Sequence, residues 1–459
     1  MPTFELRCSL PVSAAEAYAW HMRPGAFERL SPPWEGARVL QREGSIEAGG
    51  KVTLAVPFGP LKLRWVAEHY GNVPGREFHD KQLVGPFAKF EHTHRFDPVS
   101  ANACTLIDRV DYELPGGAVG RLLGGGLIGR KLARMFAYRH RVTQADLEAH
   151  ARYRDRGPMH VAITGASGLV GSALAAFLST GGQRVTKLAR GGKARNDDGL
   201  ATANWDPETG DIDLPPQDMP QAVVHLAGEN IAGRRWTVKV KERIRDSRVT
   251  STRRLCERLA ESSQRPHVLI CASAIGIYGD RGAERLTEAS GPGEGFLAEV
   301  CREWEAGTQP AVDAGIRVVN LRLGMVLTSA GGALAKMLTP FQLGGGGVVG
   351  NGRQFWSWIA LDDVLGAIQH ALLSENLSGP VNAVTPESLT NRDFTKVLGQ
   401  VLHRPTLMPL PAFAARAMLG EMADELLLAS ARVLPEKLVA TSYEFRIPEL
   451  KEALRHCVG

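Results

Sequence analysis

Three glycines at a regular spacing follow a short apolar run near the middle of the chain. His160–Thr164 predicts a buried strand, and Gly165, Gly168 and Gly171 come directly after it. Glycine tolerates a positive φ and lets backbone N–H groups approach a bound anion at the N-terminus of a helix, here predicted over Ser172–Leu178. This order of strand, turn and helix indicates a dinucleotide site rather than an ordinary glycine turn. Its predicted contacts are Gly165, Ser167, Gly168, Leu169, Val170 and Gly171.

The residue after the next strand indicates which dinucleotide the turn would bind. That strand is predicted over Arg184–Ala189 and is followed by Arg190, with Lys193 and Arg195 close behind. An acidic residue at this place would accept a hydrogen bond from a ribose hydroxyl, whereas a guanidinium suits a 2′-phosphate. We therefore expect NADP rather than NAD, with a solvated basic loop as the alternative. The Gly-x-x-Gly-x-x-Gly spacing resembles that of the extended short-chain dehydrogenase/reductases.

Length and composition predict a soluble protein of more than one domain. The chain has 459 residues, of which 44% are hydrophobic and 22% charged, and its formal net charge is +5. That charge is small for the length, and no dense Lys/Arg run suggests nucleic acid as a partner. No apolar stretch reaches the roughly 18 residues that span a bilayer, and the N-terminus lacks signal-peptide features, so we expect a cytoplasmic location. The six cysteines form no C-x-x-C pair, so neither zinc nor disulfides are predicted.

The first 150 residues predict a separate α+β domain. A strand at Phe4–Leu10 and a helix over Pro11–Trp20, with Ser13 as its N-cap, precede strands near 51–57, 61–69, 77–83, 88–96 and 105–114 and a long helix near 128–150. This order, with stretches such as G-P-F-A-K-F-E-H-T-H-R-F and L-I-D-R-V-D-Y-E-L-P, resembles the START-like helix-grip fold. The resemblance implies that the domain binds a hydrophobic small molecule. Residues 151–158 then predict a short charged linker.

Two histidines lie within one predicted strand of that domain. Alternation places Phe90, His92, His94 and Phe96 on one face, which the aromatic residues suggest is the inner face. The histidines could contact a ligand headgroup or a metal ion. Because no third ligand is evident nearby in the sequence, we expect a hydrogen-bonded pair and no metal.

The remainder of the chain carries a denser set of motifs. L-A-G-E-N-I, R-R-W-T, R-L-G-M-V-L and G-G-G-G-V-V-G-N-G-R-Q-F-W-S-W-I resemble an atypical branch of the extended short-chain dehydrogenase/reductases, NAD(P)-dependent epimerase-like proteins of unknown substrate. The resemblance implies a doubly wound parallel α/β (Rossmann) domain over residues 159–404. It also implies a small helical cap over 405–459 that closes the substrate side. Further cofactor contacts are expected at Leu226, Ala227, Gly228, Arg248, Ser273 and Val326.

The same resemblance implies a catalytic serine but lacks the rest of the usual catalytic set. By position the serine is Ser273, whose hydroxyl would orient a substrate oxygen. The superfamily's Tyr-x-x-x-Lys pair is replaced by Leu297 and Cys301, and its asparagine by Arg248. A leucine cannot transfer a proton, so ordinary superfamily catalysis is in doubt. Cys301 would be an acid/base or redox group only if Arg248 or Arg302 lowered the pKa of its thiol, and a merely packed cysteine is the alternative.

Two later stretches complete the expectations for the site. Residues 343–352 form a glycine-rich loop that would cradle a phosphate or act as a mobile flap. Gln354, Trp356 and Trp358 follow this loop and are predicted to line the substrate pocket. Asp362, at the start of the next helix, is predicted to be an N-cap.

Two functions fit these features. One is an NADP-dependent oxidoreductase or epimerase, in which hydride passes between the nicotinamide and a carbonyl or hydroxyl of a small molecule near Ser273. The other is a sensor that binds NADP(H) without turnover and is coupled to a domain that binds a lipophilic ligand. The intact glycine turn and Ser273 favour the first, whereas the missing tyrosine and lysine favour the second.

Overall fold

A computed structural model describes residues 2–47, 49–58, 61–192 and 198–459, which are organised around two large sheets. The elements of the N-terminal unit are β1 (Thr3–Leu10), α1 (Ala14–Met22), α2 (Ala26–Leu30), β2 (Arg38–Glu43), β3 (Lys51–Phe58), β4 (Leu61–Val73), β5 (Glu77–Val84), β6 (Lys89–Ser100), β7 (Ala103–Glu113) and α3 (Gly117–Ala151).

The second unit begins at β8 and alternates strands with helices. Its elements are β8 (His160–Thr164), α4 (Leu169–Thr180), β9 (Arg184–Ala189), β10 (Ala201–Asn204), β11 (Ala222–His225), α5 (Val238–Asp246), α6 (Val249–Glu261), β12 (Val268–Ala274), β13 (Arg285–Leu286), α7 (Phe296–Ala306), α8 (Gln309–Asp313), β14 (Arg317–Leu323), β15 (Met325–Leu327), α9 (Gly332–Gln342), β16 (Phe355–Trp356), β17 (Trp358–Ala360), α10 (Leu361–Leu373), β18 (Gly379–Ala383), β19 (Leu389–Thr390) and α11 (Asn391–Leu402).

The C-terminal segment follows with short elements. They are α12 (Ala412–Leu419), α13 (Glu421–Ala423), a π-helical turn (Asp424–Leu428), β20 (Arg432–Val433), α14 (Glu436–Ala440) and α15 (Leu450–Val458).

The N-terminal sheet is antiparallel, in the order β1-β7-β6-β5-β4-β3-β2, and α3 packs against it, as the helix-grip prediction expected. The sequence interpretation missed β2, because this edge strand is largely exposed and carries no continuous apolar face. It also began the long helix late. α3 starts at Gly117, in a glycine-rich stretch whose low helix propensity disguised it. No described helix is long and apolar enough to cross a membrane.

The second sheet is parallel, in the order β10-β9-β8-β11-β12-β14-β18, so the predicted doubly wound α/β fold is confirmed. The direction of winding reverses between β8 and β11. In such sheets ligands bind at the carboxyl ends of the strands on either side of this reversal. Both faces of the sheet are covered by helices, which explains why almost every residue of β8, β11 and β12 is buried.

The C-terminal segment is interwoven with both units rather than only capping the substrate side. Its first part flanks α7, where the Glu425 carboxylate accepts from the N–H groups of Phe296 and Leu297. Then β20 pairs with β13, and α15 packs on α11.

A buried network of charges joins the two units. Arg29 on α2 donates to both oxygens of Asp146 on α3, at 2.7 and 2.8 Å, and to Asp362 on α10 at 2.8 Å. Arg446 of the C-terminal segment donates to Asp146 at 2.7 Å. Asp362 therefore lies inside α10 as an ion-pair partner, and the predicted N-cap role was wrong because Ala360 occupies the cap position.

Removal of one charge from this network should destabilise the whole chain. We expect Asp146→Asn to lower the free energy of unfolding by about 3–5 kcal/mol, because Arg29 and Arg446 would keep buried charges that have lost a partner. Arg7→Ala removes the exposed Arg7–Glu5 pair and should cost no more than about 1 kcal/mol. Urea unfolding at pH 7 measures both, and equal effects would contradict the expectation.

The same network predicts how stability responds to acid. Burial alone would raise the pKa of Asp146, but Arg29 and Arg446 lower it below its usual value. A carboxyl group whose pKa is depressed in the folded state stabilises above its unfolded pKa of about 3.9 and loses that contribution as the pH falls below it. The difference in stability between wild type and Asp146→Asn should therefore shrink as the pH falls below about 4.

Candidate functional site

The glycine turn lies between β8 and α4, next to the end of β11. Gly165 has a φ of +68°, and a Cβ built on it would meet the Leu226 carbonyl carbon at 2.7 Å. A Cβ on Gly171 would lie 2.2 Å from the Gly165 carbonyl oxygen. Only glycine fits either position without displacing the backbone.

The N-terminus of α4 opens from this turn without a side-chain cap. Gly168 is its N-cap residue and no side chain bonds the first N–H groups of the helix. Ser167 and Gly168 are exposed, while Leu169 and Val170 are half-buried. Uncapped N–H groups beside an exposed, glycine-lined surface form the geometry that binds phosphate groups.

Arg190 is exposed directly after β9, the strand beside β8. Within the described part of the chain it takes part in no ion pair, and a left-handed residue, Gly191, follows it. Its guanidinium is therefore available to an anionic group. Lys193 and Arg195, which the sequence suggested as further basic residues, lie outside the described residues.

The end of β11 forms the opposite side of the glycine turn. Leu226 and Ala227 are half-buried and Gly228 is exposed. A Cβ on Gly228 would lie 3.2 Å from the Arg248 Cζ, so a larger residue would press on this guanidinium. Arg248 donates to the carbonyl oxygens of Glu229, at 3.0 Å, and Ile244, at 3.2 Å. The half-buried Val326, on β15, follows the end of β14 on the far side of the cleft.

Ser273 lies at the end of β12, where its hydroxyl donates to Glu305 Oε1 at 2.7 Å. The Glu305 carboxylate also receives two 2.8 Å hydrogen bonds from Arg322, in a bidentate ion pair. A third donor of Arg322, Nη1, reaches the Tyr278 hydroxyl at 2.8 Å, and that hydroxyl donates to Asn382 at 2.7 Å. Four polar side chains thus form a hydrogen-bonded chain that begins at the serine.

Sequence reasoning did not anticipate roles for Glu305, Arg322 or Asn382. A signal was present in the sequence, because Asn320 and Arg322 interrupt the apolar residues inside the buried strand β14. A charge inside such a strand requires a partner, because burial without one is costly.

The positions that replace the tyrosine and lysine are both buried. Leu297 packs toward Gly276, and Cys301 is 3% exposed. Burial and the Glu305 carboxylate raise the pKa of the Cys301 thiol to about 12, although Arg248 acts in the opposite direction. The hypothesis of a lowered thiol pKa is therefore wrong, because desolvation outweighs the nearby guanidinium. Arg302 is exposed to solvent.

The residues predicted to line a substrate pocket are buried among structural contacts. Gln354 donates to Leu427 O and Trp356 Nε1 donates to the same oxygen, while Trp358 is fully buried. The glycine-rich loop 343–352 is hydrogen-bonded to residues 408–410 and is not a free flap. Both findings reflect contacts with the C-terminal segment that local sequence could not reveal.

Comparisons with known proteins agree with this geometry. Residues 161–383 match the NAD dependent epimerase/dehydratase family, residues 10–139 match the polyketide cyclase / dehydrase and lipid transport family, and residues 410–457 match DUF1731, a domain of unknown function. An epimerase family protein of Mycobacterium bovis is 42% identical over 294 residues, which are 64% of this chain and 96% of the relative.

Two solved structures extend the comparison. A structure described as the nucleoside-diphosphate sugar epimerase from Corynebacterium glutamicum is 35% identical with a TM-score of 0.80, covering 99% of this chain and 90% of its own. Human epimerase family protein SDR39U1, solved with NADPH, is 33% identical with a TM-score of 0.60, covering 65% of this chain and 99% of its own. The chain belongs to the SDR39U1-like branch of the NAD dependent epimerase/dehydratase family and carries an N-terminal polyketide cyclase-like domain. The resemblances stated from the motifs are thereby confirmed.

The glycine turn generates a steric prediction. We expect Gly171→Ala to lower the free energy of unfolding by about 1–3 kcal/mol, because its Cβ would overlap the Gly165 carbonyl oxygen. Gly125→Ala is the matched control, since Gly125 lies in α3 with open space around its Cβ position, and alanine should stabilise that helix by up to about 1 kcal/mol. Denaturant titrations of both variants test this, and an undiminished stability of Gly171→Ala would contradict it.

Proposed function

We propose that the second unit binds NADP(H) at the carboxyl ends of β8, β9 and β11. The observation that carries the proposal is the uncapped N-terminus of α4, which follows Gly165 and Gly168, together with the exposed Arg190, which has no ion-pair partner among the described residues. The helix terminus would bind the pyrophosphate and Arg190 the 2′-phosphate. The NADPH of the solved human relative supports the same cofactor.

The remaining contacts follow from the shape of the cleft. Leu226, Ala227 and Gly228 would lie against the pyrophosphate, where the small residues leave room for it. The guanidinium of Arg248 would donate further hydrogen bonds to the phosphate groups. Val326 would contact the nicotinamide. When bound, NADP(H) supplies or accepts a hydride, which is chemistry that no side chain provides.

Calorimetric titration tests the cofactor. NADPH should bind more tightly than NADH. Arg190→Ala should lower the affinity for NADPH by roughly 10- to 100-fold and leave the affinity for NADH unchanged, because only NADPH carries the 2′-phosphate. Arg184→Ala is the matched control, because Arg184 lies at the other end of β9 and pairs with Asp218. An equal loss of both cofactors in Arg190→Ala, or no binding of either by wild type, would contradict the proposal.

We further propose that the cleft acts on a carbonyl or hydroxyl group of a small molecule, with Ser273 bonded to its oxygen. Leu297 cannot move a proton, and the raised pKa of Cys301 keeps its thiol neutral. Glu305 is the acid/base group in direct contact with Ser273. When a hydroxyl group is oxidised, its O–H proton would pass to Ser273 Oγ while the serine proton passes to Glu305 Oε1, and the hydride would leave the carbinol carbon for NADP. Reduction of a carbonyl group by NADPH would use the same transfers in reverse, with protonated Glu305 returning a proton through Ser273 to the carbonyl oxygen, and Arg322 would hold the carboxyl group in place.

A turnover assay tests this route. Over a panel of carbonyl compounds, wild type should oxidise NADPH, and Glu305→Gln should lower kcat by roughly 10²- to 10⁴-fold without loss of NADPH affinity. Glu303→Gln is the control, since Glu303 lies on the same helix but faces Arg245 near the surface. Unchanged turnover in Glu305→Gln would exclude this proton route.

A second function is favoured by the same buried site. Ser273 is only 2% exposed and already has a partner, as suits a protein that binds NADP(H) without turnover. The N-terminal unit would then report a hydrophobic ligand, to which the exposed apolar residues Val119, Leu122 and Leu127 on α3 would offer contacts.

The two functions predict different results with one apolar probe. A sensor should show no NADPH oxidation over the panel, and its affinity for the fluorescent probe ANS should differ between the NADPH- and NADP-bound forms. Turnover together with an ANS affinity that is independent of the cofactor would reject the sensor.

A further inference from the structure

Five ionisable side chains meet inside the N-terminal unit, away from the cofactor cleft. Asp80 on β5 pairs across the sheet with His92 on β6, and His94 on β6 pairs with Asp108 on β7. His140 reaches the same place from α3. Four of the five side chains are less than 10% exposed, and Asp80 is 17% exposed.

Three of these side chains converge on one point. Asp80 Oδ2 lies 3.1 Å from His92 Nδ1 and 3.7 Å from His94 Nε2. One ligand atom from each residue can be chosen so that all lie within 4.8 Å of one another. Metal–ligand bonds of about 2.0–2.2 Å require ligand atoms at separations of this kind. The sequence analysis expected no metal because no third ligand was evident near the two histidines. Asp80, on the neighbouring strand, can supply that ligand.

The other ring nitrogen of each histidine, on the side away from Asp80, lies close to a second carboxylate. Asp108 Oδ1 lies 3.1 Å from His92 Nε2 and 2.7 Å from His94 Nδ1, and the other Asp108 oxygen accepts from His140 Nε2 at 2.6 Å. A metal-binding imidazole usually donates its other N–H to a carboxylate, which fixes the ring and its tautomer. Asp108 Oδ1 is hydrogen-bonded in this way to His92 Nε2 and lies at ion-pair distance from His94 Nδ1.

A cation between Asp80 and the two rings would balance the charges of the cluster. An imidazole that donates to Asp108 with one nitrogen presents a lone pair on the other, and here that lone pair would face the Asp80 carboxylate. Arg139, another cation near these carboxylates, donates its Nε–H to the carbonyl oxygen of Leu30 instead. Either extra protons on the imidazoles or one shared metal ion would satisfy the arrangement.

We propose that Asp80, His92 and His94 bind a divalent first-row transition-metal ion such as Zn²⁺, with Asp108 orienting both histidines. Two imidazoles and one carboxylate suit Zn²⁺ and Fe²⁺ and leave coordination positions open. The rings of Phe78, stacked on His94 at 4.3 Å, and Phe136, at 5.0 Å from His92, form apolar walls around the ion. In such a site the ion would hold an oxygen atom of a ligand bound to the N-terminal unit.

Metal analysis of the full chain tests the proposal. Chelator-treated protein should bind one equivalent of Zn²⁺ by calorimetry, and Co²⁺ should give the visible absorption bands of a nitrogen- and oxygen-ligated ion. Asp108→Asn should lower the affinity for Zn²⁺ by roughly 10- to 100-fold. Asp80→Asn and His94→Gln should lower it further, because each of these two variants removes a ligand of the ion. The affinity for Zn²⁺ should also decrease as the pH is lowered, because protons compete with the ion for the histidine nitrogens.

Matched controls separate a metal site from a protonated cluster. His79 precedes Asp80 on β5, but its imidazole contacts the Thr93 hydroxyl and not the cluster. His79→Gln should therefore leave the affinity for Zn²⁺ unchanged. Circular dichroism of each variant shows that it is folded. Failure of wild type to bind Zn²⁺ or Co²⁺, or equal affinity in folded Asp80→Asn and wild type, would overturn the proposal in favour of protons.

Discussion

The buried carboxylate of Asp146 holds the two units of the chain together. It lies on α3 of the N-terminal unit and is bonded by Arg29 from α2 and by Arg446 from the C-terminal segment. Arg29 also forms an ion pair with Asp362 at the start of α10. Charges are removed from water at low cost only when partners meet in good geometry, so this network forms only when three distant parts of the chain are correctly placed. It therefore selects one arrangement of the units.

The same constraint shapes the candidate active site. Glu305 and Arg322 are buried as a bidentate pair beside Ser273, at the point where the cleft meets the core. In this chain the serine is therefore bonded to a carboxylate, while the helix that would carry tyrosine and lysine presents Leu297 and Cys301. The glycine turn between β8 and α4 keeps the spacing of the superfamily, whereas Ser273 lies beside an ion pair instead of a tyrosine and a lysine.

Fusion of the two units brings a third buried cluster into the molecule. His92 and His94 lie within the helix grip, and the long helix α3 that carries His140 also carries Asp146. One rigid helix thus contacts both the histidine cluster and the interface with the Rossmann unit. The ion pairs of Asp146 thus connect the helix that carries His140 to α10 and to the C-terminal segment.

The sequence alone determined those features that depend on neighbours along the chain. The strand–glycine–helix order around Gly165, the cap at Ser13 and the basic residue Arg190 follow from local backbone and spacing rules, and the structure has the first two as predicted. Tertiary structure decided the rest. Glu305 meets Ser273, and Asp80 meets the histidines, only after strands and helices pack, because hydrogen bonds and desolvation act over a few ångströms in space, whatever the separation in sequence.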